Sequence, residues 1–438
     1  LPRCIAVFVR NPSAFLQVIG WLTIVSAFSL FLLLIQVPAT AILLSRLFKG
    51  PLRHPPITSQ HPTPELLGSV SVVIPTLNEA LRISPLLTGL SRQSYEVREI
   101  IVVDSNSQDG TTDLVKAAQK QDPRFRLMTD DPLPADWVGR PWALHNGFLH
   151  SSEASEWFLG MDADTQPSPG LVAALVKTAV AEGYDLVSLS PQFILKYPGE
   201  CWLQPALLMT LLYRFNPTGI NTEEAERVMA NGQCFFCRRS VLVNVNGYTS
   251  AKSSFCDDVT LARHIAASGF KVGFLDGAKV LKVRMYEGAK ETWTEWGRSL
   301  DLKDASSRSL LWGDLWLLSA VQGLPVLILL SFLFFYLSIG QAQGTAPTLL
   351  MPGATTEGTS AMHWLLSPSP LLLLLGLNLF LLLIRFAMLF AIAPSYDRTL
   401  AKGGWLFWLS PLADPLAVLR IFLSAFRKPR QWRGREYS

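Results

Sequence analysis

Three short stretches carry residues that could do chemistry. "PTLNE" (75–79) ends in an amide and a carboxylate, and "DSNSQDGT" (104–111) holds Asp104 and Asp109. "FLGMDADTQPSPG" (158–170) places Asp162 and Asp164 two positions apart, where an apolar run gives out. Carboxylates at i and i+2 on a strand end point the same way. Together they can hold a divalent metal, or one can hold metal while the other bonds a sugar hydroxyl. Mg²⁺ commonly takes one or two carboxylates and completes its shell with substrate phosphates. Alone, the pair is equally compatible with a solubilising loop. A fourth stretch, "SSFCDDVTLARHIAASGFKVGFLDG" (253–277), opens a helix with Asp257 and Asp258 and then gives a strand. Those acids could merely favour a helix N-terminus, or one could be a general base.

The flanking sequence supplies elements to position these groups. "SVSVVIP" (69–75) is a β-branched apolar run closed by proline, the pattern of a strand buried on both faces. "EIIVVD" (99–104), "RFRLMT" (124–129), "WFLGMD" (157–162) and "DLVSLSP" (185–191) read as further strands. Between them "ALRISPLLTGLSRQ" has helical spacing at Ile83, Leu86, Leu87 and Leu90, and "GTTDLVKAAQKQ" and "PGLVAALVKTAVAEG" read as helices. Strands alternating with helices predict an α/β layer with a mostly parallel sheet. Ligands of such sheets bind beyond the carboxyl ends of the strands. Glu79, Asp104, Asp162 and Asp164 all fall there, which predicts one crevice fed by three strand ends.

The rest of the chain is a membrane protein's. Of 438 residues, 49% are hydrophobic and 16% charged, against roughly 25% charged in soluble domains. Asn11 to Ser45 contains no charge, and about 20 apolar residues suffice to cross a bilayer. "VPATA" (37–41) offers a signal-peptidase-like site, but the run far exceeds the ~7–15 residues of a signal core. We therefore expect an N-terminal anchor over 1–50, a linker over 51–68 and a membrane region over 306–426. Its spans are expected near 315–339 and 371–393, with a re-entrant or interfacial segment at 404–426, where Pro411, Asp414 and Pro415 interrupt. Arg46, Lys49 and Arg53 follow the anchor, and five basic residues fill the tail, 427–438. The positive-inside rule then predicts a cytoplasmic middle region and tail. The net charge of +4 reads as topology plus anionic headgroups, not as a nucleic-acid surface. Arg385 in the third apolar run reads as a snorkelling side chain ahead of a buried functional charge. Cys234 and Cys237 have C-x-x-C spacing, but no further zinc ligands follow at a recognisable spacing. They read as small buried residues, with no disulfide in a reducing compartment.

"VSVVIPTLNEA", "IIVVDSNSQDGT" and "FLGMDADTQ", in this order and spacing, resemble the nucleotide-binding half of family 2 glycosyltransferases with the GT-A fold. The resemblance covers roughly 69–300, within a domain placed at 69–305. It implies a nucleotide-sugar donor such as a UDP-hexose, and Mg²⁺ or Mn²⁺. By it Pro75, Thr76, Asn78, Glu79 and Asp104 would contact the nucleoside, Asp104 near the base, and Asp109 would shape that pocket. Asp162 would sit near the ribose and beside the metal, and Asp164 would bind the metal. Arg140, in "WVGRPWALHNG" (137–147), would be the basic residue near the nucleotide. "SSFCDD" resembles the family's Glu-Asp segment, with Asp257 in place of Glu and Asp258 as general base. "TWTEWGRSLDLK" (292–303) resembles the Gln-x-x-Arg-Trp segment, with Glu295 for Gln and Ser299 for Trp. That departure argues against processive polymer synthases and leaves Arg298 as an implied phosphate contact.

"VRMYEGAKETWTEWGRSL" (283–300) and "QWRGREY" (431–437), with an anchor before the domain and spans after it, are similar to membrane-bound lipid glycosyltransferases. These include carotenoid, hopanoid-associated and ceramide types, and the bacterial and cyanobacterial carotenoid enzymes are the nearest in kind. The resemblance implies inverting hexose transfer to a hydroxylated hydrophobic acceptor, a carotenoid before a ceramide or hopanoid lipid. A catalytically inactive membrane scaffold that binds nucleotide sugar is the expectation of a different class. "CWLQPALLMTLLYRF" (201–215) fits a helix bordering an acceptor entrance, or plain core.

Overall fold

The structure, a computed structural model, describes residues 12–296, 300, 302–342, 370–426, 431–432 and 435–436. Arg298, the segment expected between the second and third spans, and most of the basic tail lie outside the described residues. The strands are β1 (Val70–Thr76), β2 (Val97–Asp104), β3 (Phe125–Thr129), β4 (Trp157–Gly160), β5 (Thr165–Pro167), β6 (Leu186–Ser190), β7 (Gln192–Ile194), β8 (Phe235–Arg238), β9 (Val272–Asp276), β10 (Leu281–Val283) and β11 (Tyr396–Asp397). The helices used below are α1 (Pro12–Leu47), α2 (Ser84–Ser91), α3 (Thr111–Gln121), α4 (Gly139–Leu149), α5 (Leu171–Glu182), α6 (Pro198–Arg214), α7 (Arg239–Asn244), α8 (Asp257–Ala267), α9 (Gly288–Glu291), α10 (Arg308–Leu318), α11 (Leu324–Ala342), α12 (Pro370–Ile392) and α13 (Asp414–Ala425).

Period-two alternation sorts the strand residues into two cores. Val72, Ile74, Ile100 and Val102 pack under α2, α3 and α5. Val73, Ile101, Val103 and Phe158 face α4, α7 and α8 on the other side. Gly147 lets α4 lie close on the sheet, since a Cβ there would come within 2.2 Å of Val73. The large sheet runs β3-β2-β1-β4-β8-β6-β9. It is parallel except at β8, which is antiparallel to both β4 and β6. This is the expected α/β layer with a mostly parallel sheet. The "CFFC" segment forms the inserted strand. Cys234 faces one core and Cys237 the other, both free and buried, as expected of small core residues.

A second sheet, β11-β7-β10-β5, ties the domain to the membrane region. β5 follows Asp164 directly, and β11 begins four residues after α12 ends. Lys282 of β10 pairs with Asp397 of β11 at 2.6 Å. The linker is laid along the domain rather than hanging free. His54, Ile57 and Gln60 donate backbone bonds to Gly219, Asp276 and Gly170.

Among the described residues four helical segments are long and apolar enough to cross a membrane: Thr23–Leu52, Arg308–Ser338, Pro370–Ser395 and Gly404–Ala425. Gln36 of α1 and Asn378 of α12 exchange amide bonds of 2.9 and 3.0 Å, and Gln36 also donates to Ala320 O. Arg385 corrects the sequence reading. It does not snorkel; it is buried, and donates to Asp414 from Nε at 2.7 Å and Nη2 at 3.1 Å. The acid that interrupts the fourth apolar stretch is thus the partner of the base in the third. Gln322 donates to the same carboxylate at 3.1 Å. An unpaired charge at such a position is costly, which is why intramembrane charges pair with one another.

Candidate active site

In the large sheet β1, β2 and β3 extend one way in order, and β4 starts the other side. The switch point of such a sheet lies between β1 and β4, and ligands bind outside the carboxyl ends there. Pro75 lies near the end of β1 and Glu79 follows it, and Asp162 and Asp164 follow β4. Two of the three predicted strand ends therefore flank the switch point. The third, Asp104, ends β2 beside Thr76, its register partner on β1.

Arg140 organises the centre. It stands in the first turn of α4 and donates from Nε to Asp162 Oδ1 at 2.9 Å. Its Nη1 pairs with Asp257 Oδ2, and its Nη2 donates to Gly232 O at 2.9 Å. Three stretches separated by up to 117 positions meet on one guanidinium. Burial alone would lower its pKa, but Asp162, Asp257 and Asp258 overcompensate and hold it charged.

Asp257 and Asp258 start α8, and both pKa values are raised. Burial is the largest cause for each, and Arg140 pulls the other way. The two acids have different partners. Asp257 is spent on Arg140. Asp258 accepts from Gly232 N at 2.7 Å on Oδ2 and from Val259 N at 2.8 Å on Oδ1. Both of its oxygens are oriented by backbone, and each keeps a lone pair.

A cavity of about 1390 Å³ joins these groups. Pro75, Glu79, Arg140, Asp162, Asp164, Asp257 and Asp258 line one part. Leu208, Leu211 and Leu212 of α6, with Met388 and Ile392 of α12, line another. The stretch 201–215 thus borders the cavity while Cys201, Leu203 and Leu207 fill the core, so both readings of it hold for different faces.

Thr76, Asn78, Asp104 and Asp109 fall outside the cavity lining. They form a bonded cluster that shapes the loops after β1 and β2. Thr76 Oγ1 donates to Asp104 Oδ1 at 3.0 Å, and Ser107 donates to both oxygens of Asp104. Asn78 N donates to Ser107 Oγ at 2.8 Å, and Asn78 sits at φ 56°. Asp109 accepts from Ala80 N and Thr111. Slight burial raises its pKa, but those bonds outweigh it and hold the carboxyl below its usual value.

Sequence reasoning missed Gly232 and Arg82. Gly232 offers backbone to Arg140 and Asp258 at once, and no side-chain signal could announce that. Arg82 Nη2 pairs with Glu291 at 3.0 Å. Burial lowers its pKa, but Glu291, Asp164 and Glu79 outweigh that and hold it protonated. It lies in "NEALRI", where helical spacing drew attention to the leucines instead.

An α/β layer with paired acids beyond the strand ends at its switch point is the arrangement of a ligand crevice. Residues 71–245 match glycosyl transferase family 2. The chain is similar to 4,4'-diaponeurosporenoate glycosyltransferase of Staphylococcus haemolyticus, 25% identical over 274 residues, covering 61% of this chain and 71% of that protein. It is also similar to dolichol-phosphate mannosyltransferase of Saccharomyces cerevisiae, 32% identical over 112 residues, covering 25% of this chain and 40% of that protein. Several other curated relatives are matched over about half of their length or less. Among solved structures, a mannosyltransferase from Pyrobaculum calidifontis in complex with GDP-Man and Mn²⁺ aligns with a TM-score of 0.46 and 20% identity, covering 82% of this chain and 96% of that one.

Proposed function

We propose that the chain transfers a hexose from a nucleotide sugar, a UDP-hexose, to a hydroxyl of a hydrophobic membrane acceptor, a hydroxylated carotenoid, with inversion at the anomeric carbon. One observation carries this reading. A single cavity runs from Asp162, Asp164 and Asp258 to an apolar wall made by α6 and the membrane helix α12. A soluble acceptor has no use for that wall, whereas an apolar one buries surface there at about 25 cal/mol per Å². The carotenoid class is supported by the name of the Staphylococcus haemolyticus relative.

In this mechanism Asp258 takes the proton from the acceptor hydroxyl as that oxygen attacks the anomeric carbon and the bond to the diphosphate breaks. Its raised pKa suits a base working near neutral pH. The amides of Gly232 and Val259 fix its orientation. Arg140 holds Asp162 toward the ribose, and Asp257 holds Arg140. Pro75, Glu79 and the loops set by Asp104 and Asp109 form the nucleoside end, and Arg298 serves the diphosphate.

Asp164 and Asp162 are the residues that would hold Mg²⁺ or Mn²⁺. The donor set fits: both carboxylates line the cavity, and a carboxylate pair leaves positions for donor phosphates. A bound cation would supply charge neutralisation to the leaving diphosphate. The catalytic domain faces the cytoplasm in this reading, where the basic residues after the anchor lie.

The test is pigment and lipid profiling of a strain lacking the chain, with the purified full chain assayed on the isolated acceptor. Loss of a glycosylated carotenoid and accumulation of its free hydroxyl form is expected. An unchanged carotenoid profile with loss of a glycosylated ceramide or hopanoid would reassign the acceptor. Absence of nucleoside diphosphate release with common donors and Mg²⁺ or Mn²⁺ would leave a binding scaffold.

A further inference from the structure

We propose that Gly232 is a positioning residue that sets the donor-side cation and the acceptor-side base from one peptide loop; this rests on the roles given to Arg140 and Asp258 above. Its N–H donates to Asp258 Oδ2 at 2.7 Å, and its carbonyl accepts from Arg140 Nη2 at 2.9 Å. The two partners belong to different helices, α8 and α4. A residue whose N–H donates to one and whose carbonyl accepts from the other ties their separation to a single φ/ψ pair, because the two peptides it joins are each planar. Charge-assisted bonds of this kind are stronger than neutral ones.

The position admits no side chain. A Cβ on Gly232 would lie 2.2 Å from Arg140 Nη2 and 2.8 Å from its Cζ. The backbone of Gly232 is not in the left-handed region, so the requirement is close approach rather than conformation. Arg140 cannot yield freely, since Asp162 and Asp257 hold its other nitrogens.

The loop is itself anchored. Ser188 on β6 is fully buried; its hydroxyl accepts from Asn231 N at 2.7 Å and donates to Asn231 O at 2.9 Å. Asn231 Oδ1 accepts from Gln233 N at 3.0 Å, closing the loop around Gly232. Ser188 is outside the cavity lining, so its hydroxyl acts on the site only through this loop.

The experiment compares Gly232→Ala and Ser188→Ala with the unaltered full chain in detergent, measuring donor KM, kcat and nucleoside diphosphate release. Gly232→Ala is expected to raise donor KM at least tenfold and to lower kcat at least a hundredfold. Adding Arg140→Lys to it, which removes the forked group the Cβ meets, should recover donor KM partly; a glycine needed only for folding would show no such rescue. Ser188→Ala is expected to lower kcat about tenfold with donor KM changed less than threefold, and it covers the case in which Gly232→Ala does not fold. Full activity in either single variant overturns the proposal. An inactive unaltered chain would instead remove the function reading on which it rests.

Discussion

The guanidinium of Arg140 is ion-paired with Asp257, 117 positions further along the chain. The same group holds Asp162 at 2.8 Å, so one cation couples the strand end of β4 to the first turn of α8. Three carboxylates and one guanidinium meet on the wall of the cavity. Their mutual repulsion is what Arg140 offsets.

Removing that cation should be expensive. Arg140→Met would leave Asp162 and Asp257 close together without a counter-charge, at roughly 3–5 kcal/mol of stability for a broken buried pair. The midpoint of thermal unfolding in detergent should drop, and donor KM should rise. Arg140→Lys keeps the charge but loses the fork that reaches several partners. It should unfold near the unaltered midpoint yet still bind donor weakly.

The two acids of α8 should separate in kinetics. Asp258→Asn is expected to keep donor binding while transfer falls by 10² or more, the scale of a lost general base. Asp257→Asn should act through Arg140 instead, raising donor KM. Asp258 must be ionised to act, and its pKa is raised by burial. The kcat profile should therefore rise with pH through an inflection above the ~3.9 of an ordinary aspartate. A flat profile from pH 4 to 8 would remove Asp258 from the base role.

Asp164→Asn should abolish the dependence of transfer on Mg²⁺ or Mn²⁺ by abolishing transfer. The protein should still fold, because the neutral amide keeps the shape of the side chain. Mn²⁺ binding followed by electron paramagnetic resonance would check this apart from activity. Unaltered metal affinity in Asp164→Asn would move the metal elsewhere.

In the membrane region Arg385 and Asp414 form the corresponding test of stability. Asp414→Ala leaves a buried guanidinium unpaired and should cost about 3–5 kcal/mol. Replacing both by apolar residues of similar size, Arg385→Met with Asp414→Leu, should cost much less. Resistance to heat in detergent, compared across the single and double variants, measures the coupling.

Much of the domain was legible because buried strands and their helices are local patterns. The strands β1, β2, β3, β4 and β6 appear within two residues of where the apolar runs predicted them, and β4 stops at Gly160. Asp104 ends β2, and Asp162 and Asp164 lie just past the end of β4, where the apolar runs stop. The antiparallel insertion of β8 was not legible. Three of its four residues, Phe235, Phe236 and Cys237, are apolar and fall on both faces, and nothing in such a run states the direction of its neighbours.

By itself, then, the sequence determined the layer type, the crevice at the strand ends, the apolar spans and the acids available for chemistry, because each follows from residue type at short spacing. Tertiary structure decided which of those acids work together. Asp257 is committed to Arg140 and Asp258 is left to backbone amides, and the difference lies in the fold of a loop 25 residues upstream at Gly232. Arg385 meets Asp414 only because α12 packs against the segment 404–413 that leads into α13. Pairings of this kind depend on distances between elements that no local pattern encodes, and burial gives them their strength.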